Sequence, residues 1–319
     1  MKAAIHTKYG SPEVVQVMEV DKPVPNEKEL LLKVMATTVN RTDCGFRSAE
    51  YFISRFFSGL FKPKNTILGN EFAGIVEAIG KAVTQFKIGD KVFGYNDKTF
   101  GAHAEYMTIA EDDPVTTLPS NANFEEAVAI TEGGHYALCD IKAAKVKAGQ
   151  NVLVYGATGA IGSAAVQLIK NLGATVTAVC NTKNVNLVKA LGADVVIDYT
   201  KNDYAKAGQT FDFVFDAVGK TSFGACKPVL NKNGIYISTE LGKHSENIFL
   251  ALFTSLFSTK KVMFPIPTIT KADVIHLKQL VETGKYKPVI DKHYTLNQII
   301  DAYKYVESGQ KIGNVIIRL

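Results

Sequence analysis

The residues with the plainest chemical meaning lie in "VLVYGATGAIGSAAVQL", a strand-like run, a glycine turn and a helix start in that order. The core of this stretch, Ala157-Thr158-Gly159-Ala160-Ile161-Gly162, is an A-x-G-x-x-G variant of the dinucleotide fingerprint. Gly159 lets the backbone approach a pyrophosphate closely, and Gly162 lets the helix pack tightly on the strand. The helix start offers free N–H donors and the positive end of its dipole to the phosphates. Spaced glycines also fit a purely structural turn. The ordered strand, turn, helix and second strand favour dinucleotide binding.

The second strand sharpens the choice of nucleotide. It ends in "VTAVCNTKN", Val176 to Asn184, where an NAD site normally carries an acid for the ribose hydroxyls. Cys180 and Asn181 occupy the strand end instead, followed by Thr182 and Lys183. A missing acid with a nearby cation suits the anionic 2′-phosphate of NADPH (NADP). The sequence leaves open which of Asn181, Thr182 and Lys183 touches that phosphate. The plain alternative for Lys183 is an exposed residue at a helix start.

Metal chemistry finds no support in the spacing. None of the six histidines forms a zinc-type pair, no H-E-x-x-H occurs, and the four cysteines offer no zinc knuckle. His135 is the least ordinary of the histidines, because it follows Gly133-Gly134 just before the first strand of the nucleotide unit.

These residues need a scaffold, and the chain implies one. Six short runs ("NVLVYG", "TVTAVC", "DVVIDY", "FDFVFDAVG", "GIYIST", "KVMFPI") are continuously apolar, as in strands buried on both faces. Helical patterns lie between most of them, which predicts an α/β doubly wound parallel sheet. This Rossmann-type domain is expected over residues 121–264. The first third is rich in strands and turns and forms a second domain over 1–120, completed by 265–319. Asn123 with Glu126 fits a capping box that starts a helix joining the two.

Bulk properties narrow the function classes. The 319 residues carry a net charge of +5, and the basic residues show no long run, which argues against a nucleic-acid protein. Cys44, Cys139, Cys180 and Cys226 suggest no disulfide framework. With no signal peptide at the start, a reducing cytoplasmic location is expected. The most membrane-like run, "IFLALFTSLF" (248–257), is about half the roughly 20 residues that span a bilayer. A buried or cleft-covering helix is the first expectation there, an interfacial helix the second.

The chain resembles the medium-chain dehydrogenase/reductase superfamily, in its zinc-independent quinone oxidoreductase and enone reductase branch. The resemblance spans essentially the full length and rests on "VNRTDCGFR", "LGNEFAGIVEAIG", "FKIGDKVFG", "VLVYGATGAIGSAAVQLIKNLGA", "LGADVVIDY", "FDFVFDAVG" and "GNVIIRL". It implies a GroES-like catalytic domain plus a Rossmann domain, with the nicotinamide cofactor between them and a homodimer paired through the edge strand "KVMFPI". Zinc alcohol dehydrogenases place a histidine ligand in a G-H-E motif, whereas this chain has Gly69-Asn70-Glu71. Gly134 stands where the zinc-free branch usually carries threonine.

The resemblance also implies the site residues. Asn40 matches an asparagine beside the nicotinamide, and Tyr51 falls where some relatives place an active-site tyrosine, able to protonate an enolate. Tyr199 matches a position near the adenosine 2′-phosphate, and Leu241 and Gly242 complete the implied cofactor set. The plain alternatives are a turn asparagine and an apolar lid residue. Tyr51, Phe52, Phe56, Phe57 and Phe61 suggest a π-rich wall for an apolar or aromatic carbonyl or quinone substrate. Arg41, Arg47 and Arg55 are structural ion-pair partners or, alternatively, contacts for a substrate anion such as a coenzyme A phosphate. The expected reaction is metal-free, NADPH-dependent reduction of a quinone or an α,β-unsaturated carbonyl. Enoyl-thioester reduction and a non-catalytic NADPH-binding or partner-binding role are the alternatives.

Overall fold

The computed structural model describes residues 1–50, 55–206 and 208–319. They form two units, Met1–Glu132 with Ile269–Thr283 and Val289–Leu319, and Gly133–Thr268 with Gly284–Pro288.

The first unit opens with an antiparallel pair, β1 (Lys2–Ile5) and β2 (Gln16–Glu19). Its main sheet begins with the long strand β3 (Glu29–Val39), in which Lys33 alone is exposed and both faces are otherwise largely covered. Helix α1 (Arg41–Ser48) follows at once. Its N-cap is Asn40, in a capping box with Asp43, and it ends at Ala49 in the left-handed region. After the single turn α2 (Arg55–Ser58) come β4 (Glu71–Ile79), β5 (Lys91–Tyr95), β6 (Tyr106–Ala110) and β7 (Val115–Thr117). Helix α3 (Phe124–Val128) starts at Asn123, whose capping box with Glu126 is present. Helix α4 (Thr131–Ala144) then carries the chain into the second unit.

The second unit alternates strand and helix: β8 (Asn151–Tyr155), α5 (Ala160–Asn171), β9 (Thr175–Cys180), α6 (Val185–Ala190), β10 (Val195–Asp198), β11 (Phe211–Asp216), α7 (Phe223–Cys226), β12 (Leu230–Ser238), α8 (Glu246–Phe257) and β13 (Lys261–Met263). The six strands are all parallel, in the order β10-β9-β8-β11-β12-β13. β8 lies central, so the turn after it sits beside the point where strand order reverses, the position at which doubly wound sheets bind ligands. Val152, Leu153 and Val154 are fully buried, as a strand covered on both faces requires.

The chain then returns to the first unit through α9 (Lys271–Glu282), β14 (Ile290–Thr295), α10 (Ile299–Glu307) and β15 (Asn314–Arg318). The sheet there runs β14-β15-β3-β4-β5-β7, with β6 also on β3. One expectation needs correction. The apolar run 248–257 forms α8 but is not buried: Ile248, Phe249, Leu252, Phe253, Leu256 and Phe257 are all exposed. An apolar run states that a helix is hydrophobic, not which side meets the core. Among the described residues no helix is long and apolar enough to cross a membrane.

Candidate active site

The nucleotide-binding features come first, within the second unit. Gly159 is the N-cap of α5 and carries no side-chain cap. A Cβ on Gly159 would meet nothing nearer than 3.8 Å, so the space over the turn is open. Gly162 is the opposite case, since a Cβ there would lie 2.1 Å from the Gly156 carbonyl oxygen. Helix and turn therefore touch backbone to backbone at Gly162. The first N–H groups of α5, at Ala160 and Ile161, have no intrahelical acceptor and are available to an anion. Ala157 is buried under the turn, while Thr158 and Gly159 are half-buried. An open cradle with free donors fits a dinucleotide pyrophosphate.

A carboxylate outside the glycine motif shapes this turn. Asp216 ends β11, is fully buried, and accepts the N–H groups of Val218 (3.2 Å), Lys220 (3.3 Å) and Thr221 (3.2 Å). Tyr236 Oη also donates to it, at 3.2 Å. Burial pushes its carboxyl up from the ordinary value, and these donors oppose the shift. The loop so held sets Val218 against Gly156, where it fills the space a Cβ would need, and Gly156 also has a φ of +79° that disfavours other residues. Asp216 is thus a positioning residue for the turn. Its only sequence signal was the run "FDFVFDAVG", in which it ends an apolar strand.

At the end of β9 the structure separates the three phosphate candidates. Thr182 Oγ1 donates to Asp198 Oδ2 at 2.5 Å, so its proton is committed within the protein. Thr200 Oγ1 donates to the other carboxylate oxygen at 2.7 Å, and these hydrogen bonds, Thr182's first, hold Asp198 below its usual range. Asn181 Oδ1 accepts from Asn184 at 2.8 Å. Lys183 is exposed. Lys201 Nζ lies 3.7 Å from Asp198. Tyr199 is half-exposed, with its N–H on the Cys180 carbonyl. Asp198 was missed by the sequence reading because it belongs to the neighbouring strand. Further along, Gly242 takes φ +74°, and Asn247 closes the turn around Leu241 by bonding the Glu240 carbonyl at 2.8 Å.

The first unit carries a buried polar chain that starts at Asn40. Asn40 Oδ1 caps α1 by accepting from the Asp43 N–H at 3.0 Å. Its Nδ2 donates to Asn70 Oδ1 at 2.7 Å. Asn70 Nδ2 in turn donates to Tyr95 Oη (2.9 Å), and Tyr95 donates to Glu132 Oε2 (2.7 Å). Thr42 donates to the other Glu132 oxygen at 2.8 Å. The capping role and the link to Asn70 coexist, one on each end of the same amide. The Asp43 N–H can only donate, so it fixes the orientation of the Asn40 amide and, through Asn40 Nδ2, that of Asn70.

Beside this chain lies a second carboxyl. Glu71 accepts from Thr38 Oγ1 (2.5 Å), Thr131 Oγ1 (2.8 Å) and the Glu132 N–H (2.6 Å). Burial raises the Glu71 carboxyl. Burial, and then the Glu71 charge, push Glu132 up to about 7. The two carboxyls lie close enough to interact, and the Glu71 charge opposes ionisation of Glu132. His103 is neutral: burial lowers it to about 4, and its Nε2 donates to the Thr38 carbonyl at 2.7 Å. Tyr95 and Glu132 had no sequence signal, because four separate segments (the start of α1, the turn before β4, β5 and α4) bring the chain together.

Of the remaining predicted residues, Tyr51 and Phe52 lie outside the described residues. Phe56 and Phe61 are exposed, Phe61 at 90%. Arg47 is buried, bonds the Gly10 carbonyl at 2.9 Å, and pairs with Glu307, so it is structural. Among the described residues no group of three or more His, Cys, Asp or Glu side chains is arranged to hold a metal ion.

Comparison with known proteins now bears on this geometry. Residues 26–120 match the alcohol dehydrogenase GroES-like domain, and 191–317 match the zinc-binding dehydrogenase family. The chain is 33% identical to the 2-methylene-furan-3-one reductase of Solanum lycopersicum, over 99% of this chain and 79% of that protein. This chain belongs to the medium-chain dehydrogenase/reductase superfamily. It falls in the quinone and enone reductase branch and is an oxidoreductase of a nicotinamide-dependent family. The NADPH-dependent alkenal/one oxidoreductase of Arabidopsis thaliana is 30% identical over the same shares of both chains. A quinone oxidoreductase structure from Coxiella burnetii superposes with a TM-score of 0.89 at 25% identity, covering 100% of this chain and 99% of that one. The fold is the superfamily's, a GroES-like domain with a parallel-sheet Rossmann domain.

Proposed function

We propose that this reductase transfers hydride from NADPH to a quinone or an α,β-unsaturated carbonyl without zinc. The observation that carries this reading is the chain Asn40–Asn70–Tyr95–Glu132. Asn70 stands where zinc alcohol dehydrogenases of the superfamily carry a histidine ligand, and both polar ends of its amide are engaged in hydrogen bonds. An amide so held is a poor metal ligand.

The bound nicotinamide supplies the hydride. The protein's task is to hold the cofactor and the acceptor and to meet negative charge growing on the acceptor oxygen. Gly159, with the N–H groups of Ala160 and Ile161, holds the pyrophosphate, next to Ala157 and Thr158. Asn181 and Lys183 meet the 2′-phosphate, with Tyr199 beside them. Thr182 acts indirectly, by keeping Asp198 occupied. Asn40 is a positioning residue that fixes Asn70, and Tyr51 or solvent supplies the proton. Glu132 stores a proton next to Tyr95. The Arg47–Glu307 pair removes one of the cations on which an enoyl-thioester reading depends.

The test is titration of the pure protein with NADPH and NADH, then oxidation assays with quinones, enones, enoyl thioesters and aldehydes, with metal content measured alongside. NADPH binding and turnover of quinones or enones by metal-free protein are expected. Binding without turnover would indicate a non-catalytic role, and stoichiometric zinc needed for activity would overturn the metal-free part.

A further inference from the structure

Helix α8 is built the wrong way round for a soluble surface. Its inward side is mixed: Asn247 and Thr254 are buried, and Leu250 and Ala251 rest against the core of the parallel sheet. Thr254 Oγ1 bonds the Leu250 carbonyl at 2.7 Å and receives the Val262 N–H at 2.9 Å, which ties the helix to β13. Its large apolar residues face outward. Ile248, Phe249, Leu252, Phe253, Leu256 and Phe257 follow a 1-3-1-3-1 spacing and share one helical face, with Phe249 70% and Phe257 72% exposed. The usual surface helix shows the reverse pattern. A contiguous apolar stripe of this kind marks an interaction surface.

The charges around the stripe select its partner. Lys243 precedes the helix, and Lys260 and Lys261 follow it, with Glu246 the lone acid from Lys243 to Lys261. A second copy packed parallel along α8 would set lysine ends against lysine ends, a like-charge arrangement, whereas an antiparallel one would bring Glu246 to the Lys260–Lys261 end. An anionic lipid surface is complementary to the lysines. The Lys243 and Lys261 stems can lie along the apolar face while their ammonium groups reach headgroups, and Lys260 Nζ donates to the Lys227 carbonyl at 2.7 Å. At 12 residues α8 is about 18 Å long, too short to span a bilayer and suited to lying in its plane.

We propose that α8 is a membrane-surface anchor, lying in the headgroup region of an anionic leaflet with Phe249, Leu252, Phe253, Leu256 and Phe257 inserted. This does not depend on the reaction proposed above.

The experiment is co-sedimentation of the full chain with phosphatidylcholine vesicles and with vesicles containing phosphatidylglycerol. The protein is expected to pellet with the anionic vesicles, to release as salt rises, and to stay soluble with phosphatidylcholine alone. The variant Phe253→Ser/Phe257→Ser should lose vesicle binding while keeping its melting temperature, because both side chains already face outward. Lys243→Glu/Lys261→Glu should lose it as well. Failure of the parent chain to pellet with any vesicle overturns the proposal. So does concentration-dependent dimerisation that Phe253→Ser/Phe257→Ser abolishes, which would make a second copy the occupant.

Discussion

At the scale of single residues, the polar chain yields a pH prediction. Glu132, at about 7, stays protonated well above the usual carboxylate range. As pH rises through that value Glu132 loses its proton, and the buried pair gains negative charge. A second buried anion opposes negative charge growing on an acceptor, so turnover is expected to fall as pH rises through neutrality. Glu132→Gln keeps an acceptor for Tyr95 and removes the titration. Its rate–pH profile, measured by NADPH oxidation at saturating acceptor, should lose that falling limb. A limb unchanged in the variant would assign the titration to another group. Lys183 gives a separate test: Lys183→Glu should weaken NADPH and leave NADH nearly unaffected, by titration of each. Equal loss of both would remove Lys183 from the phosphate site. The glycine turn was legible because a local phosphate motif carries it, whereas Asn40 was named by resemblance and its capping box emerged only in the structure. Glu132, Tyr95 and Asp198 were not legible, because each meets its partners only across strands distant in sequence.

At the scale of elements, two predictions follow from close contact and burial. Gly162→Ala places a Cβ against the Gly156 carbonyl at 2.1 Å, backbone that cannot step aside alone. The helix start must move, so a loss of about 1–3 kcal/mol in stability is expected, as for overpacked cores, with cofactor affinity falling alongside. Melting and NADPH titration of the same sample read both, and unchanged affinity would detach the cofactor from this helix start. Asp140, on α4, is buried and pushed up to about 8 by burial alone. The folded state then keeps a proton that the unfolded chain releases in the ordinary carboxylate range. Stability therefore falls as pH rises between those two values, by up to about 1.4 kcal/mol per pH unit, and levels off above the upper one. Asp140→Asn should flatten this slope and melt higher at neutral pH. Continuous apolarity announced the parallel strands, and Asn123 announced α3. The outward face of α8 stayed hidden, since composition fixes a helix's apolarity and only packing decides which side it turns to solvent.

At the scale of the whole molecule, the last strand in the sequence is an internal one in its sheet. β15 pairs with β14 on one side and with β3 on the other, with Val315 opposite Val39, the residue before Asn40. Long-range pairing of this kind follows from no local pattern, so strand order could not be read from the sequence, although apolar "GNVIIRL" marked the strand itself. Val315, Ile316 and Ile317 are fully buried. At about 1.5–3 kcal/mol for each such side chain, their loss removes roughly 5–9 kcal/mol, comparable to the whole stability of an ordinary domain. Ending the chain at Ile312 would also leave β14 without its strand partner and uncover the β3 edge that leads into Asn40. The truncated chain is expected to lose cooperative thermal unfolding, followed by circular dichroism, and to lose reductase activity with it. A truncated protein that melts as sharply and as high as the parent would mean that β15 contributes little to the sheet, and that Asn40 is held by its capping box alone.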